Sequence, residues 1–171
     1  MNLGLYENFP AQIHRVESFI SILSIKHLQQ TAIQVFHKIN QREFSFEEAA
    51  NPTIPGCKVF FDLGLAEAQG FNYIDEEELK KATDVLAREH LHSIDFFCAI
   101  RYYKGNAEIK QALKFDYYIL RTIYNSRIFE IQVFHERGPR YISPEDLTLF
   151  IFNQINEFSE KKVLKKSNLS L

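Results

Sequence analysis

The sequence predicts an α/β protein of the α+β kind, and three observations carry that prediction. Apolar residues recur at three- and four-residue steps in the first part of the chain, alternate in steps of two between residues 113 and 134, and return to helical steps after residue 143. Two helix starts are written out in capping residues, at Asp75 and at Ser143. A chain of 171 residues that is 46% hydrophobic and 14% aromatic has enough apolar material for a real core. The pattern divides into a small mixed N-terminal domain, residues 1–88, and a C-terminal domain, residues 89–171, with a central mixed sheet flanked by helices.

Taken in order, residues 11–37 place Ile13, Val16, Phe19, Ile20, Leu23, Leu28, Ile33 and Phe36 mostly at helical steps, which predicts one or two amphipathic helices. The prolines and glycine of SFEEAANPTIPG, 45–56, mark a loop. CKVFFDLGLAEAQGFNYI then reads as a short apolar helix stopped at Gly64 and a strand up to Ile74. Asp75 caps the next helix by accepting a free backbone N–H, and Glu76 to Glu78 favour the positive end of its dipole. A further helix is expected over about 92–104, before Gly105. LKFDYYILR and IFEIQVF follow as strands, the first with Lys114, Asp116, Tyr118 and Leu120 on one face, the second with Glu130 and Gln132 on one face. Ser143, Pro144 and Asp146 open a last helix, whose stripe is Leu147, Phe150, Ile151, Ile155 and Phe158, and KKVL closes as a strand.

A net charge of −2 gives no overall pull toward nucleic acid or membrane, so any such contact has to come from a local patch. One exists in EKKVLKK, 160–166, where Lys161, Lys162, Lys165 and Lys166 face a single glutamate; lysine-rich solvated chain ends are also common. Cys57 and Cys98 are far apart and form no CxxC pair, which argues against a disulfide framework or a zinc site. His90 and His92, two apart, would point about 200° from each other on a helix and so not at one metal. No apolar run approaches the ~20 residues that span a bilayer, and the protein is expected to be cytoplasmic, without a membrane partner.

Chemistry concentrates around DYYILRTIYNS, 116–126. Asp116 on one strand with Glu130-Ile131-Gln132 on the next is similar to the carboxylate spacing of metal-dependent nucleases, although a glutamine stands where those enzymes carry lysine. The same spacing arises on any solvated sheet face. Tyr117, Tyr118 and Tyr124 could line a site, or simply pack on a half-buried strand with their hydroxyls in water.

From Lys58 onward the chain resembles the archaeal tRNA-splicing endonuclease family. The resemblance rests on an ordered set: KVFFDLGLAE with NYIDEEELKKA, then FCAIRYYKG, then ALKFDYYIL, then IQVF through ISPEDLTLFIF to KKVL. These look like the family's helix–strand–acidic helix, its helix with a following glycine, its acidic strand, and its closing strand–helix–basic strand. The resemblance implies an endonuclease-like domain over 89–171 and a metal-independent cleavage in which a tyrosine activates the 2′-hydroxyl, a histidine protonates the leaving oxygen and a lysine stabilises the transition state. Those three positions fall near Leu120, Ser126 and Ser159, with Tyr118 and Tyr124 as the available substitute bases and Lys161 or Lys162 as the available lysines. The family's base-stacking arginine falls near Phe152.

The expectation is therefore a degenerate, non-catalytic structural subunit, without cofactor or metal. Its partners would be a catalytic endonuclease subunit, in a hetero-oligomer such as the crenarchaeal heterotetramer, and precursor tRNA. Lys161, Lys162, Lys165 and Lys166 would contact RNA, and His135, Glu136, Arg137, Arg140 and Tyr141 would form the subunit-docking loop, mainly basic here where the family's is acidic. The alternatives are a metal-dependent nuclease using Asp116 and Glu130, and a stand-alone RNA-binding module.

Overall fold

The structure, a computed structural model, describes residues 3–50, 55–104 and 114–167. It is an α+β fold. In chain order it runs β1 (Arg15–Ser21), α1 (Ile25–Ile39), β2 (Glu43–Ser45), α2 (Phe46–Ala49), β3 (Cys57–Glu67), β4 (Gly70–Tyr73), α3 (Glu76–Arg88), β5 (Ser93–Lys104), β6 (Lys114–Asn125), β7 (Ile128–Arg137), α4 (Pro144–Phe158) and β8 (Leu164–Lys166). The strands form one sheet in the order β2-β3-β5-β6-β7-β1-β8, with β4 paired to β3.

Several expectations are corrected. The central sheet is not mixed: each of its pairings is antiparallel. Nor do residues 1–88 and 89–171 make separate cores. β3 pairs with β5 from Cys57↔Lys104 to Leu63↔Cys98, and β1 pairs with β7 and β8, so the sheet runs through the expected boundary and one hydrophobic cluster draws on both sides of it. The helix expected at 57–64 is strand β3, the helix expected at 92–104 is strand β5, and the start of the 11–37 segment is strand β1 rather than helix.

The physical reason lies in the two faces. On β3, Cys57, Val59, Phe61, Leu63 and Leu65 are buried on the inner face, while Lys58, Phe60 and Asp62 point outward. On β5, Ile94, Phe96, Cys98, Ile100 and Tyr102 are buried inward, but Phe97 and Tyr103 also stand on the outer face. Aromatics on both faces hide the period of two. Gly64 is not a helix stop. It lets β4 come close, since a Cβ there would lie 3.2 Å from Cβ of Phe71.

The helix starts read at Asp75 and Ser143 hold, their side chains accepting from the backbone N–H groups of Glu78 and Asp146, and Ser24, which sequence reasoning did not single out, caps α1 by accepting from His27. α1 and α4 pack on the inner face and α3 packs on α1. Phe36 of α1 meets Phe96 edge-on, and Phe150 of α4 stacks on Phe61 and meets Phe44 of β2. At the other end of the strand order, Phe152 stacks on Phe19 of β1. α4 thus touches both ends of the strand order, and the sheet curves around it. No helix among the described residues is long and apolar enough to cross a membrane.

Candidate functional site

β6 divides its tyrosines between the faces. Tyr118 and Tyr124 are buried inward, and Tyr117 lies half-buried on the outer face. The Tyr118 hydroxyl donates to the carbonyl of Ile142. The Tyr124 hydroxyl accepts from Thr122 at 2.9 Å. Burial pushes both phenols up, and for Tyr118 the nearby Asp116 carboxylate adds to the rise. A general base needs a phenol near neutrality within reach of its substrate. Tyr118 and Tyr124 offer neither access nor a suitable proton affinity.

Asp116, fully buried, is a fastening point. One carboxylate oxygen takes the ring Nε2 of His135 at 2.8 Å and the N–H of Arg140 at 2.7 Å; the other takes the Tyr102 hydroxyl at 2.7 Å and the N–H of Tyr141 at 2.9 Å. These partners occupy the acceptor positions that a cation would need. Glu130 stands on the opposite face of the sheet and pairs with Ile123, seven residues along β6 from Asp116, or roughly 23 Å at 3.3 Å per residue. The Asp116–Glu130 pair of the metal-nuclease alternative is therefore not assembled. Among the described residues no group of three His, Cys, Asp or Glu side chains is placed to hold a metal ion. Cys57 and Cys98 are free and buried, and His90 and His92 lie in the exposed α3–β5 connection.

The positions the resemblance assigns to a triad scatter. Leu120 is in the core at the middle of β6, Ser126 is exposed in the β6–β7 turn with φ 52°, and Ser159 caps the far end of α4. The residues expected as a docking loop stay together, but they are held down. His135 faces inward onto Asp116, whereas Glu136, Arg137, Arg140 and Tyr141 are exposed. The same carboxylate pins the backbone at Arg140 and Tyr141, and the Tyr141 ring meets Tyr102 at 5.1 Å. Gly138, at φ 114°, is required for this closure: a Cβ there would lie 2.3 Å from the carbonyl oxygen of Phe115.

The basic tail gains the most from the fold. β8 pairs with β1, with Lys165 opposite Ile20 and Lys166 opposite Phe19. The start of β8 is tied to α4 through Asn156, whose side chain donates to the carbonyl of Leu164 and accepts its N–H. Lys162, Lys165 and Lys166 then line a cleft of about 710 Å³ along the second half of α4, with Arg42 on the opposite wall. Lys161 is exposed beside it. The cleft also carries the amides of Asn153, Gln154 and Asn156 and the carboxylates of Glu48 and Glu157. Arg42 is bound to Glu48 at 2.6 Å, which lowers the free positive charge on that wall.

Sequence reasoning missed Arg42, which follows α1 and belongs to the opposite edge of the sheet. Only the curvature around α4 brings the two edges together, and no local pattern carries that. Compared with known protein families, with curated proteins and with solved structures, the chain has no match.

Proposed function

We propose that the chain is a non-catalytic RNA-binding protein that holds RNA by its phosphates in the cleft between α4 and β8. The observation that carries this reading is the convergence of Lys162, Lys165, Lys166 and Arg42 on one cleft lined with amides. Ammonium and guanidinium groups neutralise phosphates, and amide side chains donate to phosphate and ribose oxygens without fixing a base sequence. Lysines on a short edge strand also keep sheet edges from pairing with other chains, and the amide-lined concavity is what favours a ligand over that role alone.

The narrower form of the reading is a structural subunit of a tRNA-splicing endonuclease, assembling with a catalytic subunit on precursor tRNA. The order β6, β7, α4, β8 supports it, as do the inaccessible Tyr118 and Tyr124. KVFFDLGLAE and FCAIRYYKG do not, because both segments resembled helices, whereas 58–67 and 97–104 are strand. The metal-nuclease reading has no assembled carboxylate pair behind it.

Fluorescence anisotropy with a labelled precursor-tRNA fragment, titrated over a salt series, tests the binding. The triple variant Lys162→Gln, Lys165→Gln, Lys166→Gln is expected to weaken binding and to lower the slope of log K against log salt by about 2, at roughly 0.7 for each single-strand phosphate no longer neutralised. An unchanged slope would remove the cleft from the interface. For the narrower form, the purified chain should leave precursor tRNA intact, and adding a catalytic subunit should give cleavage that neither component gives alone.

A further inference from the structure

Among the described residues the outer face of the sheet carries no helix, in contrast to the inner one. Residues 3–14 cover part of it: Tyr6 packs on Phe71 at 4.6 Å, and the Phe9 ring lies 3.9 Å from the Arg121 guanidinium, which itself holds the buried Asp95. Among the described residues nothing covers the remaining corner, where the end of β5 meets the starts of β3 and β6. There aromatic and cationic residues alternate across the strands. Phe60 pairs with Arg101, Arg101 with Phe115, and Tyr117 with Arg137. The rings of Phe115 and Tyr117 lie nearly parallel, 8° apart, with Phe115 40% exposed. Arg137 stands 4.5 Å over Tyr117, and Arg101 5.3 Å over Phe60. Phe115, Tyr117, Arg137 and Lys114 line one shallow depression of about 650 Å³, closed on one side by Gly138 and Pro139.

We infer that this corner is a stacking platform for the unpaired bases of single-stranded RNA. Exposed rings on a rigid strand offer a π face to any base, and arginines between them both neutralise phosphates and stack. A second copy of the chain suits the corner less well. A two-fold interface sets each patch against itself, which would bring Lys114 and Arg137 of one copy toward the same cations of the other, whereas Arg101 is already paired with Asp62 at 2.9 Å. Rigidity is built in by the Asp116 network just beneath, which fixes Arg140 and Tyr141 and so the end of the β7–α4 loop.

The inference rests on RNA being the ligand, and it concerns a different surface from the α4–β8 cleft. It predicts a preference for single strands over duplex, which a phosphate-only site does not require. The probe is a 12-nucleotide RNA carrying one 2-aminopurine, compared with the same strand annealed to its complement. Binding is expected to change the 2-aminopurine emission and to favour the single strand. The double variant Phe115→Leu, Tyr117→Leu keeps apolar bulk and removes the π faces; it should lose roughly 10- to 100-fold in single-strand affinity and abolish the emission change. Circular dichroism and a thermal melt confirm that the variant folds.

The Lys162, Lys165, Lys166 triple variant separates the two sites. It should weaken binding while leaving the emission change at saturation, so loss of one behaviour does not entail loss of the other. Equal binding of duplex and single strand, or a leucine variant indistinguishable from the parent, overturns the platform. So does sedimentation showing a dimer of the parent that becomes a monomer in the leucine variant, since the face would then belong to a second copy.

Discussion

The two faces of the sheet are built from similar residues and put to different uses. Inward, Phe61, Phe96, Phe129 and Tyr118 are sealed under α1 and α4, and each ring has a partner ring or a hydrogen bond. Outward, Phe60, Phe97, Phe115 and Tyr117 are half-buried or exposed and interleave with arginines. Aromatic content alone therefore says little about where the core is. Rings meet rings on both faces; what separates the faces is what else surrounds them, helices and aliphatic groups on one side, guanidinium groups and water on the other.

The largest effect is expected at Asp116, on the inner side. Asp116→Ala leaves a buried phenol, an imidazole and two backbone N–H groups without their acceptor, and is expected to cost about 3–5 kcal/mol of stability, read from urea unfolding. Magnesium or manganese should not change that loss. Recovery of stability on adding either ion to the parent, but not to the variant, would instead mark Asp116 as a metal ligand.

A sharper test of the comparison uses two adjacent residues. Phe61 is 2% exposed and stacks on Phe150 at 4.7 Å, while Phe60 faces out beside Tyr103. Phe61→Ala should cost about 3–5 kcal/mol by opening a cavity under α4. Phe60→Ala should cost about 1 kcal/mol or less, because its ring already meets solvent on one side. Equal losses would mean that the outer face is covered by something other than water.

The same contrast explains what was legible in the sequence. α1, α3 and α4 could be read because a polar face alternates with an apolar one at 3.6 residues, and the starts of α3 and α4 because Asp75 and Ser143 can cap. β6 and β7 could be read because Asp116, Arg121, Glu130 and Gln132 break their apolar runs. β3 and β5 could not: Phe60, Phe97 and Tyr103 put rings on the face that usually carries polar residues, so the runs looked continuous and short helices fitted them. Reading those strands as helices also hid the single sheet, since β3–β5 pairing is what joins the two halves. Of the candidate site, the four tail lysines were visible as charge and the pinned loop as composition. Arg42, the outer aromatic corner and the role of Asp116 depend on contacts between distant segments, which no window of sequence contains.

The smallest effect lies at the rim of the outer face, at His14. Its ring stacks on Phe134 at 4.8 Å, and its Nδ1 accepts the N–H of His135 at 2.8 Å, which requires the neutral form at that atom. Burial lowers its pKa below 6.5, and the positive charge of Arg140 and the neighbouring His135 lower it further. The sign follows from proton counting. Near and below pH 6.5 the unfolded chain binds a proton at this position more readily than the folded one, so its contribution to stability is present above pH 6.5 and is lost as the pH falls through the lowered folded value. Because His14 is exposed, solvent screens most of the effect, and the step should be small. An NMR titration of the His14 ring is expected to give a pKa below 6.5, and His14→Phe, which keeps the stack on Phe134, should flatten the stability difference between pH 5 and pH 8. A His14 pKa at or above 6.5 would mean that the N-terminal segment does not rest on the sheet as described, and the uncovered part of the outer face would then be larger than the corner around Tyr117.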